Sequence, residues 1–118
     1  MKIILSTDSS ISALTLRNQM VKAIKGEIEK IKIDTWSYLR IGNSFDIIYH
    51  NAKQYTNDAE KNVVFKIQVD EANVSFSTAW WRNDPEPSYD LLCLHTGRLT
   101  EMLLKYFNNS FIKFTILP

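Results

Sequence analysis

Residues 63–81 read as two strands of alternating side chains joined by a short turn, a pattern that an antiparallel hairpin accommodates and a helix does not. Val63, Phe65, Ile67 and Val69 alternate with Val64, Lys66, Gln68 and Asp70. After Asp70-Glu71-Ala72-Asn73, Val74, Phe76, Thr78 and Trp80 alternate with Ser75, Ser77, Ala79 and Trp81. A loop over 70–73 pairs Val69 with Val74, Ile67 with Phe76, Phe65 with Thr78 and Val63 with Trp80. That register gathers the apolar residues on one face and leaves Lys66, Gln68, Ser75 and Ser77 on the other, a face either solvated or open to a partner. A slip of one residue would invert both faces.

A second hairpin is expected over 36–50, with Gly42-Asn43 as a two-residue turn and Gly first, as a type II′ turn prefers. It sets Arg40 opposite Phe45, Tyr38 opposite Ile47 and Trp36 opposite Tyr49, so that one face is aromatic and the other carries Leu39, Asp46, Ile48 and His50. Strand character starts near Ile31. The polar stretch 51–61 lacks a period and reads as a loop. Helical spacing begins at Ile11, after the cap-forming residues 6–10, and ends either at Gly26 as a C-terminal cap or at about Lys30. The prolines of 83–88 end the hairpin, and Ser88 caps a second helix that ends at Asn108-Asn109. The resulting expectation is an α+β fold: a four-stranded antiparallel meander, with optional short terminal strands at 2–5 and 111–117, packed on one face by two helices.

A chain of 118 residues suits one domain spanning 1–118, and 45% hydrophobic with 23% charged residues suits a globular one. The net charge of +1 lacks the basic excess of a general nucleic-acid binder. Charge is uneven, however: residues 41–90 hold eight acids against four bases. A lone Cys93 allows no internal disulfide and mildly favours a reducing compartment. The apolar start turns polar at Ser6, too soon for a secretion signal, and no stretch approaches the ~20 apolar residues of a membrane span. A cytoplasmic protein with no membrane partner is the expectation.

The motifs of common catalysis are missing. The three glycines are scattered and form no phosphate loop, no Gly-x-Ser-x-Gly elbow occurs, and no cysteine pair or His-x-x-x-His spacing suggests zinc. Catalytic residues, cofactors and metal ligands are therefore all expected to be absent. His50 and His95 could serve an acid/base reaction only if the fold brought them to one reacting centre, which nothing in the sequence does. The bland expectations are a surface His50 and a half-buried His95. Cys93 and His95, two apart on a helix, point different ways, and Cys93 is expected to be buried.

Trp80-Trp81-Arg82 is the most unusual local feature. Strand alternation places Trp80 in the core and Trp81 on the outer face. There Trp81 either packs beneath the 83–88 linker or the sheet edge, or stands exposed beside Arg82 as an interface anchor. Asp58, Glu60, Asp70, Glu71, Asp84, Glu86 and Asp90 gather in turns and the linker, either as a solvated rim or as a docking surface for a basic partner. Trp81, Arg82, Asp70, Glu71, Asp84, Glu86 and Asp90 are accordingly the candidate partner-binding residues. The functional expectation is a non-catalytic inhibitor of bacterial immunity or antitoxin type, binding a basic toxin domain such as a nuclease. A small-molecule module with a pocket lined by Trp36, Tyr38, Tyr49 and Phe65, or a small histidine-dependent hydrolase or nuclease, is the alternative. An uncovered sheet edge could also support a homodimer.

Overall fold

The computed structural model describes residues 1–8, 11–51 and 63–118. Its elements run β1 (Lys2–Ser6), α1 (Ala13–Ile24), β2 (Trp36–Ile41), β3 (Phe45–His50), β4 (Val64–Val69), β5 (Asn73–Ala79), α2 (Tyr89–Phe107) and β6 (Lys113–Leu117). The fold is α+β, with two helices and one six-stranded sheet in the order β2-β3-β4-β5-β1-β6, every neighbouring pair antiparallel. The four meander strands are thus extended by both terminal strands, which join the sheet as full members. The loop expected over 51–61, with Asp58 and Glu60 of the acidic cluster, lies, from residue 52 on, outside the described residues.

Local chemistry sets the helix ends. Ser12 caps α1 by accepting from the Thr15 N–H, so the helix starts at Ala13, two residues after the expected Ile11. At its far end the Gly26 N–H donates to Ala23 O and the Glu27 N–H to Lys22 O, with Gly26 at φ +78. That paired bond arrangement needs a left-handed residue, which is why glycine stands there. Ser88 caps α2 by accepting from the Leu91 N–H at 3.2 Å. Residues 31–35, expected to begin a strand, are irregular, and pairing starts only at Trp36.

The β4–β5 hairpin holds the expected register through Val69↔Val74, Ile67↔Phe76 and Phe65↔Thr78, and its ladder ends at Val64↔Ala79. The β2–β3 hairpin does not hold its own. The Ser44 N–H closes the tight turn on Ile41 O, but pairing resumes at Ile41↔Phe45, leaving Ser44 as an extra residue on one side. Arg40 therefore faces Asp46, Tyr38 faces Ile48 and Trp36 faces His50. Side-chain alternation carries that shift along the whole strand, so Asp46, Ile48 and His50 join Trp36 and Tyr38 on the helix side. Ile47 and Tyr49 turn to the outer face.

The helices lie on one face of the sheet. Ile3, Leu5, Phe65, Val74 and Phe76 form a core with Leu16 and Met20 of α1 and Leu99 and Leu103 of α2, all at most 1% exposed. Trp36 and Phe65 belong to this core, with ring centroids 6.1 Å apart, and Tyr49 lies on the opposite side of the sheet. The four aromatic residues expected to line one pocket are therefore divided between a packed interior and the other face.

Candidate protein-docking surface

The outer face of the sheet carries more than polar side chains. Ile47 and Val64 are 1% and 3% exposed but stand outside the core cluster, because cross-strand partners share a face and theirs are Lys66 and Ala79. They floor a cleft of about 280 Å³ whose walls include Ile41, Phe45, Trp80 and Trp81, with Lys66 and Arg82 as its charged members. Lys66 Nζ sits 4.4 Å from the Phe45 ring centroid, a cation–π contact that keeps the charge over the aromatic wall. The outer face, expected either to be solvated or to receive a partner, is thus apolar at this end.

Trp80 corrects an expectation. The ladder stops at Ala79, so alternation no longer dictates where the next side chain goes, and Trp80 lines the outer cleft with 39% of its surface exposed. Neither tryptophan enters the core: Trp81 is half-buried in the same cleft and Arg82 is exposed beside it. Beyond them the connector turns, the Asp84 N–H donating to Trp81 O at 2.9 Å, and runs to α2 with Glu86, Tyr89 and Asp90 exposed and Pro87 buried. Tyr89 is 65% exposed. Trp81, Arg82, Asp84, Glu86 and Asp90 therefore follow one another along a single surface segment.

Asp70 and Glu71 do not join them. They lie in the β4–β5 turn, at the opposite end of β5, whose seven residues span roughly 20 Å. Asp70 has local work there: its Oδ1 accepts from the Ala72 and Asn73 N–H groups at 3.1 and 2.9 Å, and these bonds hold its carboxyl below the ordinary range.

A second cluster lies between β3 and α2 on the helix side. The fold does bring the histidines together, with His50 and His95 ring centroids 6.5 Å apart and edge-to-face. His50 packs edge-on against Trp36 at 5.2 Å and lines a polar cleft of about 220 Å³ with Arg98, Glu101, Lys105 and Tyr106. Burial and Arg98 lower its pKa, against the opposing pull of Glu101. His95 stands behind it, 1% exposed, its pKa pushed down to about 4 by burial and by His50. Only His50 of the pair lines the cleft, so the two imidazoles do not converge on a common reacting centre in this arrangement. Cys93, expected to be buried, is exposed on the other side of α2.

Among the described residues no group of three or more His, Cys, Asp or Glu side chains is placed to hold a metal ion, and no helix is long and apolar enough to cross a membrane. The sequence signal for the outer cleft was present in Ile47-Ile48 and Val63-Val64-Phe65, because adjacent apolar residues in a strand imply cover on both faces. Comparison with protein-family models, with curated proteins and with solved structures finds no match to this chain.

Proposed function

We propose that this chain is a non-catalytic protein-binding domain of bacterial immunity or antitoxin type, which neutralises a basic protein by docking it on the 80–90 connector and the adjoining outer cleft. The observation that carries the reading is the pair of adjacent tryptophans left outside the core at the mouth of an apolar cleft. Trp, Tyr and Arg are the residue types that anchor protein interfaces, and Trp80, Trp81, Arg82 and Tyr89 lie within ten residues of one another. Asp84, Glu86 and Asp90 supply an acidic rim to meet basic groups, and Ile41, Phe45, Ile47 and Val64 leave the cleft itself suited to an apolar side chain. A reducing cytoplasm fits an exposed Cys93 with no second cysteine to pair it.

The test is affinity capture from the native host, followed by binding kinetics with the captured protein in purified form. Trp81→Ala is expected to speed dissociation tenfold or more, the scale of a ~1.4 kcal/mol hot spot. Joint neutralisation of Asp84, Glu86 and Asp90 is expected to slow association and flatten its salt dependence. Neutralising Asp70 and Glu71 should change neither rate. A purified partner that binds the first two variants as it binds the parent protein would overturn the assignment.

A second reading, a small histidine-dependent hydrolase or nuclease, draws on His50 lining a cleft with the cationic groups Arg98 and Lys105. It requires turnover of a phosphodiester that His50→Gln abolishes. Equal rates for the two proteins would remove it.

A further inference from the structure

β6 is an edge strand: β1 pairs along one side of it, and no other strand among the described residues pairs along its other side. Half of its main-chain N–H and C=O groups consequently point away from the sheet. Natural edges are usually protected by charge or proline, yet Lys113-Phe114-Thr115-Ile116-Leu117 holds one charged residue, at its start. The apolar residues around it are open to solvent: Ile112 is 66%, Ile116 48% and Leu117 44% exposed.

Cross-strand partners share a face. Phe114 and Ile116, which face Leu5 and Ile3 of β1, are on the helix side, and Lys113, Thr115 and Leu117 are on the outer side. We propose that two copies of this chain pair through β6, antiparallel, about a two-fold axis at Thr115. This register sets Phe114 opposite Ile116 on one face, Lys113 opposite Leu117 on the other, and Thr115 opposite itself. It pairs all five residues of β6 with one another and keeps the two Lys113 side chains apart. Centring on Ile116 instead would bring Pro118, which has no N–H to give, opposite Phe114. β2, the other edge, carries the half-exposed Arg40 within the strand, the kind of charge that blunts an edge. Pairing through β6 does not depend on the docking function above.

Sedimentation of the full chain over a concentration series tests the pairing. The parent protein is expected to pass from monomer to dimer as concentration rises. Thr115→Lys and Thr115→Glu each place like charges opposite one another and are expected to weaken the dimer tenfold or more. An equal mixture of the two is expected to restore it, because Lys then meets Glu. Restoration also shows that neither variant is merely unfolded. Leu39→Glu, on the β2 edge, should leave the dimer intact. A parent protein that stays monomeric throughout overturns the proposal. So do Thr115 variants that dimerise like the parent, a mixture that stays monomeric, or a dimer lost through Leu39→Glu.

Discussion

Three donors from two elements converge on Asp46. Arg17 of α1 bonds its Oδ2, and Tyr38 and Arg40 of β2 bond its Oδ1 at 2.6 and 2.8 Å. The carboxylate is 8% exposed, and burial alone would raise its pKa, but the bonds from Tyr38, Arg40 and Arg17 outweigh burial and bring it down to about 2. The same contact holds the Tyr38 hydroxyl above its ordinary value, burial being the larger cause. Asp46→Asn keeps the shape and removes the charge, leaving Arg17 and Arg40 to face a neutral amide. We expect a loss of about 2 kcal/mol, read as a lower denaturant midpoint at neutral pH. The pH dependence follows in sign. With a folded pKa below the unfolded one near 3.9, the carboxylate stabilises fully above about pH 4, and that stability drains away as pH falls through about 2. Asp46→Asn should flatten this acid limb. The network was hidden from the sequence because the β2–β3 register decides which side Asp46 faces, and one unpaired serine decides the register.

Among the elements, how much could be read depended on contrast between faces. β4 and β5 alternate apolar and polar residues over most of their length, so only one register separates the two, and the expected pairs from Phe65↔Thr78 to Val69↔Val74 are the observed ones. β3 is apolar on both faces at Ile47-Ile48, so either register buries a hydrophobic side chain and the pattern does not choose. Trp80 escaped for a related reason: alternation predicts a face only while a ladder lasts, and Ala79 ends it. Capping was legible at Ser88 because it depends on local residue chemistry, whereas at Gly26 propensity equally allowed the helix to run on to about Lys30. Two glycines turn this into opposite outcomes. Gly26 holds φ +78 with open space around it, so Gly26→Ala meets no neighbour but strains the backbone, and about 1 kcal/mol of stability should be lost. Gly97 sits inside α2, exposed and with nothing within 4 Å of an added Cβ. Gly97→Ala should gain up to about 1 kcal/mol from helix propensity. Parallel denaturation curves of the two variants check both signs.

Across the whole molecule, α2 and the sheet are joined at a buried titratable contact. His95 of α2 is 1% exposed and lies against His50 of β3, which in turn packs on Trp36 of β2. Its pKa of about 4 means that the folded protein keeps this imidazole neutral where the unfolded chain, near the ordinary 6.5, would already bind a proton. Between those values the unfolded state holds more protons, so stability rises with pH through the window and falls as the solution is acidified. The interval corresponds to at most about 3 kcal/mol, enough to matter for a small domain. His50 adds to the same slope, since burial and Arg98 lower its pKa too, Glu101 opposing them. Acid unfolding should therefore have two parts: a histidine part from about pH 6.5 to 4, and an Asp46 part from about pH 4 to 2. Replacing His95 by leucine exchanges a group that must shed its proton to fold for one of similar size with none to shed. Denaturant midpoints measured from pH 7 to pH 4 should fall steeply for the parent protein and much less for His95→Leu. Equal slopes would mean that the α2–sheet contact opens and admits the proton without unfolding. An unchanged acid limb below pH 4 in the same variant would show that the two parts are independent, as the separate packing of Asp46 against α1 and His95 within α2 requires.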